Sequence, residues 1–342
     1  MMTFEEALNA RFLLQKEYLG DDKPINRSTP LVSVSVATYQ HKNYIRQCLD
    51  GILMQKTDFP FEVIIGEDGS VDGTQEICME YAEKYPDKIR LFIRDRALSQ
   101  FKDADGTVKR FNGIWNRMSC RGEYIAMCEG DDYWFDPLKL QKQVDILRRC
   151  DVSLVYTGFM NVDQNGDVIT RKFHDDILKE SKSGDMLSKL LRGNFIMTLT
   201  VCFKREVILS ELYKRVPISM DYSLFLSATE FGDFAFIPAC TGAYRRVPTG
   251  AIMSRKKEID DCLCTIYRYF SMKYLDGQLR KRSLKSNFQI KLSIIERAVK
   301  LLRNPQHNDC LRSFIRKDKT LLLLLPISIL TILIDKFKML LR

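Results

Sequence analysis

Three carboxylates crowd into four residues at Glu129-Gly130-Asp131-Asp132, directly after the apolar stretch Glu123-Tyr-Ile-Ala-Met-Cys128. Like charges this close repel unless a cation or protons offset them. Hard oxygen donors suit Mg2+ or Mn2+, and Mg2+ typically binds through one or two carboxylates together with substrate phosphates. The alternative is a solvated acidic turn that caps the helix after Pro137. Asp136 can serve as that cap, which leaves Asp131 and Asp132 without a capping duty.

Two further polar clusters follow apolar stretches: Ala37-Thr38-Tyr39-Gln40, and Gly66-Glu67-Asp68-Gly69-Ser70-Val71-Asp72-Gly73-Thr74. In the second, Asp72 or Ser70 can cap a helix opening near Thr74, and the glycines allow tight turns. Capping does not account for Asp68, whose carboxylate can accept hydrogen bonds from a nucleobase or ribose.

Other chemistries find little support. The ten cysteines form no CxxC pair, and the three histidines, His41, His174 and His307, are far apart in sequence. Zinc sites and mechanisms that need clustered histidines are therefore disfavoured. The chain opens MMTFEEALNARFLL, which reads as an acidic amphipathic helix and not as an export signal. With scattered cysteines, this points to a reducing cytoplasm.

The elements that must position these clusters alternate. Strands are expected at 31–37, 61–65, 89–93 and 123–128, and helices at 42–55, 74–85 and 112–119. Such alternation predicts an α/β layered domain with a largely parallel sheet, in which ligands bind at the C-terminal strand ends. All three polar clusters stand at such ends. Beyond Pro137 we expect a helix to about 149, a strand over 152–161, a turn at 163–166 and a return strand at 167–171. Helices around 184–192, 204–213 and 220–231 and short strands at 234–237 and 241–244 follow. Long helices come last, at about 256–275 and 280–303.

The net charge of +9 is uneven. Residues 255–342 carry 20 Lys/Arg against 8 Asp/Glu, whereas residues 1–254 carry 33 against 36. Within this basic tail, residues 321–334 (LLLLLPISILTILI) hold no charge and are flanked by Arg316, Lys317 and Lys319 before and Lys336, Lys338 and Arg342 after. The run is shorter than the roughly 20 apolar residues a membrane span needs, and Pro326 interrupts it. A membrane-surface or re-entrant segment, attracted to anionic lipid, fits it; a buried C-terminal helix or an oligomer contact is the alternative. Nucleic acid is a poor partner for an uncharged leucine run.

Taken together, VSVxxxTYQ, then EDGSxDGT, then GEYIAxxEGDDYWxDPxKLxxQ, each at a strand end, resemble the inverting glycosyltransferases of family 2, of the kind found in bacterial surface-polysaccharide clusters. The resemblance covers about residues 30–250. It implies a GT-A fold: a Rossmann-like, mostly parallel sheet flanked by helices, here with a helical basic C-terminal extension. It divides the chain into an N-terminal helical segment (1–30), a GT-A domain (31–254, with nucleotide-binding half 31–135 and acceptor half 136–254) and the tail (255–342).

The resemblance also implies roles. Thr38 and Tyr39 match the family's nucleobase-facing TYN motif, with Gln40 in place of Asn. Asp68 matches the acidic residue on the uracil or ribose side of the donor. Glu129-Gly130-Asp131 stands in the place of the DxD motif, with Glu129 toward the ribose and Asp131 and Asp132 as candidates for Mn2+ or Mg2+. Asp221, at an expected helix start where a cap is the plain alternative, matches the catalytic base. Arg245 and Arg246 stand where a YRxH-like segment closes over the diphosphate, without its His; arginine suits bidentate phosphate contact. Trp134 is assigned to the acceptor side.

The implied reaction is metal-dependent, inverting hexosyl transfer from a nucleotide sugar, most simply a UDP-sugar, to a glycan or lipid-linked glycan. The implied location is the cytoplasm, peripheral on the inner membrane face through 316–342. A catalytically silent binding or scaffold protein and a nucleotidyltransferase are the alternatives. The latter usually carries a Gly-rich phosphate loop after the first strand, which TYQHKNY is not.

Overall fold

The computed structural model describes residues 2–102, 104, 106, 108–170, 179, 181–215, 221–247, 265–266, 269–274 and 276–301. The first half is built of β1 (Val32–Thr38), α2 (Ile45–Leu53), β2 (Phe61–Glu67), α3 (Thr74–Lys84) and β3 (Ile89–Ile93), preceded by α1 (Phe4–Phe12). A small hairpin, β4 (Gln100–Lys102) and β5 (Val108–Arg110), leads to α4 (Asn112–Ser119), β6 (Tyr124–Met127) and β7 (Tyr133–Trp134). The second half contains α5 (Lys139–Arg149), β8 (Val152–Val162), α6 (Leu187–Arg192), β9 (Cys202–Lys204), α7 (Glu211–Arg215), α8 (Asp221–Ala228), β10 (Asp233–Arg245) and α9 (Leu284–Leu301).

Eight strands form one sheet in the order β3-β2-β1-β6-β9-β8-β10-β7. The left side is parallel throughout, because each βαβ crossover buries a Val/Ile-rich strand on both faces. The register sets the site. Thr38 pairs with Glu67 and Glu67 with Ile93, so β1, β2 and β3 end on one line. Alongside, Cys128 N–H donates to Ser35 O and Gly130 N–H to Ala37 O, which carries the acidic loop to the same edge. The three-residue β9 lies antiparallel to both β6 and β8 and joins the two halves. One apolar core packs α2, α3 and α5 on one face, and another packs α6 and α8 on the other. Together these features are the mixed α/β, largely parallel sheet expected of a GT-A fold.

Several expectations are revised. The two short strands at 234–237 and 241–244 are one strand, β10, parallel to β8; register shifts on either side of Cys240 absorb Pro238 and Gly242, which read as breaks in the sequence. The return strand after 163–166 reduces to a single antiparallel bridge, Val162 to Val168, and Arg171 lies outside the described residues. The helix over 204–213 is a 3-10 turn at Arg205–Leu209 followed by α7. The periodicity gave no sign of β4, β5, β7 or β9, which are two or three residues long.

The N-terminal segment packs on this body. Thr3 and Glu6 form a capping box on α1, Arg11 donates to Leu98 O and Gln100 O, and Phe4 and Ala7 pack with Phe111 and Trp115. The described part of the tail packs too: Phe270, Ile290 and Ile294 join the core that contains Leu187 and Phe225. Residues 302–342, and with them the apolar run 321–334, lie outside the described residues. Among the described residues no helix is long and apolar enough to cross a membrane.

Candidate active site

On the nucleotide side, Asp68 is 3% exposed at the tip of β2. Its Oδ2 accepts from Arg96 Nη1 at 2.5 Å, and its Oδ1 accepts from the Ser99 hydroxyl. Burial pushes its carboxyl above the usual carboxylate range, and Ser99 and Arg96 only partly offset this. The Arg96 guanidinium also lies over the Tyr39 ring, 3.3 Å from its centroid, so Tyr39, Arg96 and Asp68 form one stacked and paired unit. Sequence reasoning named Tyr39 and Asp68 but missed Arg96 and Ser99. Their position just after the third strand was the available signal.

Beneath this unit a buried network fixes the strand ends. Asn112 Nδ2 donates to Gly66 O at 3.0 Å and Asn116 Nδ2 to Val36 O at 2.7 Å. Arg94 donates to both asparagine side chains. The loop above is shaped by carboxylates. Glu67 accepts the N–H groups of Gly69 and Ser70, and Asp72 accepts those of Thr74 and Lys42. The N-cap of α3 is Gly73, not Asp72, so Asp72 serves the helix only from one residue further out, through the Thr74 N–H, while Ser70 accepts Gln40 N–H. Gln40 sits in the left-handed region at φ 56°, a conformation Asn adopts more readily than Gln.

In the acidic loop, Gly130 is required by close approach: a Cβ there would stand 2.5 Å from Thr38 Oγ1 and 2.8 Å from His41 Nδ1. His41 Nδ1 and Thr38 Oγ1 are hydrogen-bonded at 3.2 Å, and His41 Nε2 lies 3.9 Å from Asp131 Oδ2. His41 is thus drawn into the site, with its pKa pushed down by burial against the opposing pull of Asp131 and Asp72. The two aspartates differ. The Asp131 side chain is 28% exposed. Asp132 is buried, and its Oδ1 accepts the Arg245 backbone N–H at 2.8 Å. Burial, reinforced by Asp131, holds the Asp132 carboxyl well above its ordinary range. Glu129 is likewise pushed up to about 8 by burial, with Asp221 and Asp131 adding to the effect.

Among the described residues no three His, Cys, Asp or Glu side chains converge on a preformed metal cage. A partly exposed carboxylate on the loop after a strand end fits the other kind of divalent site, in which a bound diphosphate completes the coordination sphere.

Arg245 is spent on the protein. Its guanidinium donates to Asp131 O, Asp163 O, Gln164 O and Gln47 Oε1, between the Tyr44 and Tyr133 rings. It clamps the acidic loop to α2 and to the 163–166 turn. Arg246 lies over the Tyr244 ring, its backbone N–H bonded to Val162 O. Trp134 is 1% exposed, and its indole N–H donates to Leu199 O at 2.9 Å, so it supports the loop from below. Asp221 is the first residue of α8, and its Oδ2 accepts from Thr198 Oγ1 at 2.6 Å. Nearby, Arg117 donates to the Tyr213 hydroxyl at 2.5 Å. Burial opposes the charge on Arg117, yet Tyr213, Asp221 and Glu129 together hold its pKa above the ordinary value. Arg117 is thus the buried counter-charge to the Glu129 and Asp221 carboxylates. Thr198 and Arg117 carried no signal in the sequence, since neither lies in a motif.

Comparison with known proteins agrees with this architecture. The family model described as "Glycosyltransferase like family 2" matches residues 29–241. An uncharacterized protein of Mycobacterium tuberculosis is 34% identical over 215 residues, 63% of this chain and 58% of its own length. The chain thus spans little more than half the length of these mycobacterial relatives. The chondroitin synthase of Escherichia coli is 30% identical over 234 residues, covering 68% of this chain and 31% of that enzyme. Among solved structures, Staphylococcus aureus TarS 1–349 in complex with UDP-GlcNAc superposes with a TM-score of 0.55 at 15% identity, covering 84% of this chain and 81% of that one. At that identity the likeness is one of fold.

Proposed function

The chain belongs to the family 2-like glycosyltransferases, and from that premise we propose that it transfers a sugar from a nucleoside-diphosphate donor to an acceptor hydroxyl, with inversion at the anomeric carbon. The observation that carries the reading is the common edge of β1, β2 and β6, where Tyr39, Asp68 and Asp131 follow strand ends held in register. A flat ring with an acidic neighbour suits a nucleobase, and a partly exposed carboxylate one strand away suits a diphosphate-bound cation.

In this reading Tyr39 stacks on the base, Thr38 lies against it, and Asp68 accepts from the base or ribose. Asp131 would hold Mn2+ or Mg2+, with Glu129 on the ribose side. A cation bound there would offset charge on the departing diphosphate. Asp132 and Arg245 hold the loop that presents Asp131, while Arg246, the residue after β10, is the arginine assigned to phosphate. Asp221 accepts the proton of the acceptor hydroxyl as its oxygen forms the new bond to the anomeric carbon and the bond to the diphosphate breaks. No covalent enzyme intermediate is needed.

UDP-sugars are the first donors to test, since TarS holds UDP-GlcNAc on the same fold. A surface glycan, on a lipid carrier reached through the basic apolar tail 316–342, is the proposed acceptor; the likeness to chondroitin synthase supports a polysaccharide product. Calorimetry with UDP and UDP-GlcNAc in Mn2+ tests the donor site. Binding that weakens when Mn2+ is chelated and when Tyr39 is replaced by Ala supports the reading. Binding indifferent to both overturns it.

A further inference from the structure

We propose that Thr198 is the positioning residue of the general base, holding the Asp221 carboxylate in a fixed orientation relative to the acidic loop. The inference rests on the reading of Asp221 as the base. Thr198 Oγ1 donates to Asp221 Oδ2 at 2.6 Å, the length of a charge-assisted O–H to carboxylate bond. This bond engages Oδ2, and in the proposal Oδ1 takes the proton.

The neighbouring threonine shows what a purely structural hydroxyl does in this turn. Thr200 Oγ1 donates back to the Met197 carbonyl at 2.6 Å within the 3-10 turn Thr198–Thr200. Thr198 points its hydroxyl across 23 residues of sequence to a carboxylate instead.

The turn itself cannot drift. Trp134 Nε1 donates to Leu199 O at 2.9 Å. Gln143 Nε2 and Lys139 Nζ both donate to Thr200 O, at 2.8 and 3.3 Å. Leu199 and Thr200 are buried, and two residues later Cys202 pairs with Ala126 of β6. Trp134 stands three residues after Asp131, in β7, which follows the acidic loop directly. The turn bearing Thr198 and the loop bearing Asp131 are therefore one braced unit. Lys139 and Gln143, four residues apart at the start of α5, supply the K and Q of the DPxKLxxQ pattern, which the donor site does not use. Orientation of a base by a second group is worth a large factor in rate, because a small misplacement of reacting atoms is costly.

The test compares Thr198→Val, which keeps shape and loses the donor, with Thr198→Ser, which keeps the donor. Hydrolysis of UDP-GlcNAc and a panel of other UDP-sugars is read beside donor affinity and melting temperature, with Asp221→Asn as control. We expect Thr198→Val to lower kcat about tenfold or more at unchanged donor affinity and melting temperature, and Thr198→Ser to restore most of the rate. In a crystal structure of Thr198→Val the Asp221 carboxylate should leave its wild-type rotamer. Unchanged kcat in Thr198→Val while Asp221→Asn is inactive overturns the inference alone, as does an unmoved Asp221 rotamer or a Ser variant no better than Val. An active Asp221→Asn overturns the base reading beneath it.

Discussion

The backbone N–H of Arg245 donates to Asp132 Oδ1 at 2.8 Å, and the guanidinium of the same residue donates to Asp131 O at 2.9 Å. One residue at the end of β10 therefore holds both ends of the Asp131-Asp132 pair. It separates two adjacent carboxylates into a buried one that maintains the loop and a partly exposed one that can meet a ligand.

That division predicts unequal mutants. Asp132→Asn keeps an acceptor for the Arg245 N–H in a place where burial already favours the neutral form. It should leave nucleotide-sugar hydrolysis within about tenfold of wild type. Asp131→Asn should lower it by about a hundredfold, the scale of losing one preorganised electrostatic contact. Steady-state rates of the two variants in Mn2+ decide the matter; the reverse order would assign the metal to Asp132.

Arg245→Ala should behave as a stability mutant first. It leaves the carbonyls of Asp131, Asp163 and Gln164 and the amide oxygen of Gln47 without their donor. These acceptors belong to exposed or half-buried residues, so water replaces much of the lost bonding, and a net loss of about 1–2 kcal/mol is expected in urea denaturation. An unchanged midpoint would show that the clamp is dispensable.

Much of this arrangement was legible in the sequence, for a physical reason. Val32–Thr38, Phe61–Glu67 and Ile89–Ile93 are buried on both faces, so their composition is dictated locally, and the polar residues that follow must lie at strand ends. Thr198 and Arg117 were not legible, because each acts through a partner distant in the chain. The charge of Arg245 was plain, but its burial against Tyr44 and Tyr133 depends on how β10 meets α2 and β7. The continuity of β10 through Pro238 was hidden as well, since a bulge is set by the partner strand β8.

Tyr39→Ala should weaken UDP binding by about tenfold, as expected for loss of one base–aromatic stack worth roughly 1–3 kcal/mol. Its melting temperature should barely change, because the ring is only half-buried against Arg96. Calorimetry with UDP checks this. Equal affinities would remove Tyr39 from the nucleotide site.

Lys139 provides a pH signature of the brace under the loop. It is fully buried, with Nζ on Gln143 Oε1 at 2.6 Å, and burial pushes its pKa down from 10.5 to about 8. Below about pH 8 both folded and unfolded chains hold the proton, and the slope is flat. Between pH 8 and 10.5 the unfolded chain binds more protons, so the folded state gains stability as pH rises. The stability of wild type relative to Lys139→Met should therefore increase by up to about 3 kcal/mol between pH 7 and pH 10. Paired urea titrations measure it; a constant difference would mean that Lys139 stays charged throughout.

The most direct measurement is release of nucleoside diphosphate by the purified full chain across a panel of UDP-, GDP- and dTDP-sugars, with Mn2+ and then with a chelator, beside Asp131→Asn and Asp221→Asn. Turnover of one donor should stop on chelation and in both variants, with donor binding lost in Asp131→Asn and retained in Asp221→Asn. Turnover unaffected by the chelator and by both substitutions, or failure to bind any donor, would contradict it and leave a fold without the chemistry.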